Sequence, residues 1–288
     1  MPKRYTPHDL VATFSKLSSL PDVYLKIREA VESPDSSARE VAKLISSDPA
    51  ITARLLKVVN SVVYGMPRGV ESVVQAVNIL GMQPIHDIIL ASSVTTTFAG
   101  VSCGLMNVRQ FWSHSLLRAL TARALGKQAN LVDNERLFVV GLLSRVGHLV
   151  MYDKIPQLAV LALSQSERTE QPLFAVERQV IGCDYAAVGG DLLARWRLPD
   201  SIVAMILDHV EPERAQSSAI GAAIVHLAAA VADAATSSAG PVDTASLDPY
   251  LWEATGLTPE TLSGVEKKAG MEFVEAAKVF IPTLAEVA

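Results

Sequence analysis

Cysteine is nearly absent from this 288-residue chain: Cys103 and Cys183 are the only two. Two thiols over this length build no disulfide framework and lack the paired spacing of a zinc site, so both are expected to be free thiols in a reducing compartment. Aromatic residues are scarce at 6 %, which leaves Ala, Leu and Val to build the core and favours packed helices over a sandwich or barrel. A surplus of basic charge is missing too. Lys and Arg number 25 against 30 Asp and Glu, a net charge of −5. A nucleic-acid binder presents a basic face or stripe, and the short patch Arg195–Arg197 makes none, so nucleic acid is not an expected partner. No apolar run reaches the roughly 18 residues of a membrane span; Ala219–Ala235 comes nearest but holds His226 and Asp233. The opening MPKRYTPHDL lacks the apolar segment of a signal peptide. No Gly-rich phosphate loop occurs, and Ser115, Ser144 and Ser164 sit in no nucleophile-elbow context. These absences predict a soluble cytoplasmic protein without a membrane partner.

What is present is helical periodicity, almost everywhere. Half of the residues are hydrophobic, enough for a sizeable core. The segment SSAREVAKLI carries a capping box, Ser37 with Glu40 three residues on. In SDPAITARLLKVVNS, Asp48 is placed to cap a helix that Pro49 begins, and Ile51, Leu55, Val58 and Val59 form its apolar stripe. Further helices are predicted in LPDVYLKIREAV, VESVVQAVNILG (stopped by Gly81), MQPIHDIILASSVTTTF and NVRQFWSHSLLRALTARALGKQAN. One helix is read through DNERLFVVGLLSRVGHLVMYDK, capped by Asp133 or Asn134. Three shorter ones follow, then an alanine-rich helix over Ala219–Ala235, a polar loop at Thr236–Pro249, and a last helix from Thr258-Pro259 with a possible interruption at Gly264 or Gly270. Gly100–Gly104 reads as a break. The expected fold is all-α, with two packed helical lobes, 10–102 and 103–288.

Three phrases, LPDVYLKI, SSDPAITARLLKVVNSVVYG and ESVVQAVNILG, stand in an order and spacing that closely resembles the HDOD domain, a bacterial relative of the HD phosphohydrolases. The resemblance covers Leu17 to Pro212. Its most specific block comprises Asp48, Pro49, Asn60, Ser61, Tyr64 and Gly65. Asn60 and Ser61 suit a helix end, where short polar side chains bond local backbone groups. Tyr64 can bury its ring if its hydroxyl finds a partner. A structural corner is the leading reading of this block and a ligand contact the alternative.

The HD relatives hold divalent metals with a His, an adjacent His-Asp pair, further His residues and a late Asp. Followed through this chain, the resemblance implies that His114 keeps the first position, while Ser144-Arg145 stand where the His-Asp pair belongs. Tyr185 occupies a His position and Ala187 a Glu position, His209 is retained ahead of Val210, and Ala229 stands at the late Asp. Two isolated imidazoles make no ordinary hydrolytic metal site, and a guanidinium repels a cation. The expectation is therefore no metal, no cofactor and no catalytic residue, with a vestigial pocket of His114, Ser144, Arg145, Asp184, Tyr185, Asp208 and His209.

A buried arginine needs a partner, and Asp184 and Asp208 are the candidates for Arg145. His148 is read as a packing or surface contact, His86 as part of a solvated face, His226 as core and His8 as surface. By resemblance the chain is expected to be a non-catalytic signal-transduction module of bacteria, of the kind found with receiver domains and cyclic di-GMP enzymes. It would act by binding a regulatory protein, and as the output part of a response regulator in a two-component system if it belongs to a longer chain. A phosphohydrolase acting on nucleotides or cyclic dinucleotides, and a domain sensing a small anionic ligand, are the alternatives.

Overall fold

The computed structural model describes every residue except 1–3, 15–19, 21, 62, 67–68, 99–104, 237–239 and 282–288. The described residues form helices joined by short turns, with no strand among them. Cys103 and the break expected at Gly100–Gly104, with the lobe boundary inside it, lie outside the described residues.

The first helices are α1 (Pro7–Ala12), α2 (Asp22–Glu32), α3 (Ala38–Ser46), α4 (Pro49–Val59), α5 (Val73–Leu80) and α6 (Met82–Phe98). Local chemistry sets their ends as the sequence predicts. Ser37 and Glu40 close a capping box on α3, and the Asp48 carboxylate accepts from the Ala50 and Ile51 amides at 2.8 and 3.0 Å, a cap that stabilises by about 1 kcal/mol. The α4 stripe Ile51, Leu55, Val58 and Val59 is buried as a unit. In α6 the β-branched end is helical, and Thr95, Thr96 and Thr97 turn their hydroxyls back to the carbonyls of Ala91, Ser92 and Ser93.

The rest comprises α7 (Val108–Gln128), α8 (Asn134–Leu143), α9 (Val146–Lys154), α10 (Pro156–Thr169), α11 (Leu173–Val180), α12 (Tyr185–Arg195), α13 (Asp200–Asp208), α14 (Ala219–Thr236), α15 (Pro249–Thr255) and α16 (Pro259–Phe280). The long α7 is the axis: α8, α14 and α16 all pack on it. The α6 helix lies against α2, α4 and α5 on one side and α8 on the other, while α1 packs on α9 and α12. Arg28 of α2 donates to the carbonyls of Trp196 and Arg197 at 3.3 and 2.7 Å. One apolar core therefore runs from Leu10 to Ile281.

Two expectations are corrected. The helix read through residues 134–154 is two helices, because Ser144 ends α8 and Arg145, at φ −104° and ψ 6°, starts α9. The α16 helix runs unbroken through Gly264 and Gly270. The α1, α10 and α15 helices add to those predicted; α10 opens with Pro156 at its first position but without a side-chain cap.

Two glycines set the closest helix contacts. A Cβ on Gly141 would lie 2.8 Å from the Ala119 Cα, so α7 and α8 touch backbone to backbone. A Cβ on Gly147 would lie 2.0 Å from the Tyr185 carbonyl oxygen, which seats α9 directly on α12. These contacts bring α7, the α8–α9 turn and the start of α12 together.

Candidate functional site

The Asp48–Gly65 block is a corner held by its own side chains. Asn60 caps the end of α4, donates from Nδ2 to the Val70 carbonyl at 2.8 Å and accepts from the Val70 amide at 2.7 Å. This closed pair ties the chain entering α5 to the end of α4. Ser61 donates to the Val58 carbonyl at 2.6 Å, and Gly65 takes the left-handed conformation, φ 56°, that its turn requires. Tyr64 donates its hydroxyl to Glu135 of α8 at 2.6 Å, and burial pushes that hydroxyl well above its ordinary pKa.

The partner of this corner is Arg123, which sequence reasoning missed. It is buried on α7, donates to the Val63 carbonyl at 2.9 Å, lies over the Tyr64 ring at 5.3 Å and faces Glu135 at 3.7 Å and Glu272 of α16 at 3.4 Å. One guanidinium thus joins the corner loop, α7, α8 and α16.

The second constellation gathers on the far part of α7. His114 and Arg118 lie one turn apart and share a face. Arg118, only 4 % exposed, places Nη2 at 2.8 and 3.2 Å from the two Asp233 oxygens of α14, while its Nη1 is 3.5 Å from the Ser144 hydroxyl. Arg145 donates from Nη1 to His114 Nδ1 at 2.8 Å and lies beside the Phe111 ring. His114 Nε2 is 3.6 Å from Asp233. The chain of contacts runs Arg145, His114, Asp233, Arg118.

Behind it stands a neutral polar layer. Tyr185 lies 3.2 Å from His209 Nε2 through its hydroxyl, and His209 Nδ1 donates to the Ile206 carbonyl at 2.7 Å. The Tyr185 ring stacks on His148 at 4.1 Å. His148 Nε2 meets Glu177 of α11 at 3.0 Å, and the other Glu177 oxygen accepts from the Tyr185 amide at 2.9 Å.

Burial and the two arginines set the protonation. Burial first, then Arg145 and Arg118, bring His114 down to about 4. Burial lowers His209 to about 3 and His148 well below the ordinary histidine range. Burial lifts Glu177 to about 8, which favours the uncharged form of the His148–Glu177 pair. The cost of withdrawing the Asp233 carboxylate from water is outweighed by Arg118, which holds it below its ordinary value. Although 59 % of the Asp233 side chain is exposed, the distances to Arg118 show that its oxygens face the arginine.

Of the expected pocket residues, the structure joins His114, Ser144, Arg145, Tyr185 and His209, and separates two. Asp184 caps α12 through the Ala187 amide and pairs with Arg178; Asp208 accepts from the Ser218 hydroxyl. Neither pairs with Arg145, because α12 and α13 turn these carboxylates toward their own neighbours. The carboxylate of the cluster is Asp233, one helical turn beyond Ala229, and Arg118 likewise follows His114 by one turn. That spacing was the signal available in the sequence. Of the two readings of His148 the structure takes packing: the ring is buried at 1 % exposure between Tyr152 and Tyr185. The solvated reading of His86 is corrected. His86 is equally buried, between the Tyr24 hydroxyl and Asp87, each at 2.9 Å.

The HDOD domain model matches residues 17–212, a range that holds the corner and every cluster residue except Asp233. The chain belongs to the HDOD family. An HDOD domain protein of Geobacter sulfurreducens has a similar fold, with a TM-score of 0.71 at 23 % identity over 94 % of this chain and 96 % of that one. A Shewanella amazonensis SB2B protein provisionally assigned as a phosphohydrolase gives a TM-score of 0.71 at 22 % identity, covering 94 % and 97 %. An uncharacterised protein of Treponema pallidum (strain Nichols) is 26 % identical over 198 residues, 67 % of this chain and 37 % of that relative. The chain thus spans well under half of that relative's length.

The HD kinship raises the question of a metal, and the donor set does not fit one. His114 Nδ1 already accepts from Arg145, and its other nitrogen faces Asp233 and the Ala232 carbonyl. Asp233 is committed to Arg118. A divalent cation at these ligands would stand against two guanidinium groups. Among the described residues no three His, Cys, Asp or Glu side chains group around a common point.

Proposed function

We propose that this HDOD protein is a non-catalytic regulatory module of bacterial signal transduction, working in the cytoplasm by binding a protein partner. The observation that carries the reading is the 2.8 Å bond from Arg145 to His114 Nδ1. It spends the lone pair of the retained histidine on a cation, where a phosphohydrolase of the HD type would spend it on a metal. The Arg123 junction supports the interaction half of the reading. It joins the corner, α8 and α16, so a partner that displaces one of them changes the packing of the others. Where such a chain is part of a response regulator, this junction would convey the receiver's state.

Two measurements test the reading. The purified protein is expected to carry less than stoichiometric transition metal, and to turn over neither generic phosphate esters nor cyclic dinucleotides with added manganese or magnesium. Stoichiometric metal, together with hydrolysis abolished by His114→Ala, overturns the reading in favour of a phosphohydrolase.

A further inference from the structure

The charges around α7 do not balance. Arg118 and Arg145 are both cationic. Among the described residues the only carboxylate within 4 Å of either is Asp233, and that contact is to Arg118. Burial holds His114, His148 and His209 below the ordinary histidine range and lifts Glu177 above the ordinary carboxylate range, so both shifts favour the uncharged forms. The first turn of α9 begins at Arg145 without a side-chain cap, which adds the positive end of a nine-residue helix. A buried cationic surplus is costly unless an anion accompanies it.

We infer that Arg145, with the positive charge of Arg118 behind it, forms an oxyanion site that takes a phosphate group. Arg145 is half-buried, so part of its fork reaches the surface. Its one hydrogen bond to a described residue, from Nη1 to His114, orients the fork and leaves its other donors for a ligand. Arg118 of α7 is taken up by Asp233 and Ser144 and adds a second positive charge behind the Arg145 fork of the α8–α9 turn. A guanidinium fork matches phosphate oxygens in pairs. The neutral His114 is a positioning residue: its Nδ1 accepts and so holds Arg145 in place. The inference rests on the non-catalytic reading, because a resident cation would take the same space.

The test is thermal denaturation at pH 7 with inorganic phosphate or pyrophosphate, against sodium chloride at equal ionic strength. Pyrophosphate is expected to raise the melting temperature saturably, as a ligand of the native state does. Arg145→Gln keeps a donor for His114 and removes the charge. It is expected to weaken the response on the order of tenfold, the loss of one charge-assisted contact, while melting no lower than the wild type in anion-free buffer. A wild-type response equal to that of sodium chloride, or one retained in full by Arg145→Gln, overturns the site. A melting temperature that falls sharply in Arg145→Gln without anion makes Arg145 a structural partner and also overturns it. If that variant does not fold, calorimetric titration of the wild-type chain and Arg145→Lys with pyrophosphate decides: heat in the wild type and binding about tenfold weaker in the lysine variant support the site, and no heat in the wild type overturns it. Metal-dependent cleavage of pyrophosphate would overturn the non-catalytic reading and leave the anion site standing; absence of binding removes the site and leaves that reading untouched.

Discussion

The corner around Tyr64 and the cluster around Arg145 hang from the same helix, each through a buried arginine of α7, Arg123 and Arg118. They differ in how those arginines are matched. Arg123 has two carboxylates within 4 Å, a backbone carbonyl and an aromatic face, so its charge is matched within the corner. In the cluster Arg118 has the carboxylate of Asp233 while Arg145 has only the His114 imidazole, and burial lowers the neighbouring imidazoles. The corner behaves as architecture and the cluster as a site.

The largest expected effect is on the architectural side. Arg123→Ala strands Glu135 and Glu272 and should cost about 3–5 kcal/mol, read by urea denaturation. Arg145→Ala should cost less than about 1 kcal/mol, in keeping with a residue outside the main stabilising mechanisms. Equal losses in the two variants would abolish the distinction. Next, Asn60→Ala removes both bonds to Val70 and should cost about 1–3 kcal/mol, with no change in any pyrophosphate response.

The pH profile sharpens the cluster side. Histidines lowered to about 4 and about 3 when folded, from an unfolded value near 6.5, bind fewer protons in the native state, so stability rises with pH up to about 6.5. Glu177, raised to about 8, binds more protons in the native state, so its contribution falls as pH climbs from about 4.5 to about 8. The wild type should therefore lose stability between pH 6.5 and 8. Glu177→Gln should flatten that decline while leaving the acid limb in place, and a decline of unchanged slope would refute the protonated carboxyl. The smallest effect lies outside both regions. Gly264→Ala on α16, where a Cβ meets nothing, should stabilise by about 0.5–1 kcal/mol.

The corner was legible in the sequence because its chemistry is local. Asp48 caps residues two and three positions on, Ser61 reaches back three, and Asn60 reaches ten ahead. The cluster was half legible. His114, Arg145, Tyr185 and His209 could be placed by resemblance, but Asp233 lies 115 residues from Arg118, and no local pattern joins them. The pairing of Arg145 with Asp184 or Asp208 failed because opposite charge in neighbouring segments says nothing of which way each helix turns. His86 looked solvated beside Asp87 because its main partner, the Tyr24 hydroxyl, comes from a helix 62 residues away. The division of α8 from α9 was hidden by composition: Leu143 and Val146 continue an apolar run across a bend that Ser144 makes with its hydroxyl on the Gly141 carbonyl.

The seat of Gly147 on the Tyr185 carbonyl has a mechanical consequence. Where two helices meet through long side chains, rotamer changes can absorb small slips. Here there is no side chain to absorb one, and α9 and α12 are keyed like a shaft to a hub. A twist applied to α12 is handed to α9 without play, and with it to Arg145 at the first position before that helix. The same key works in reverse, so whatever settles against Arg145 pulls on the far end of α12, where Arg195 reaches the N-terminal segment through His8.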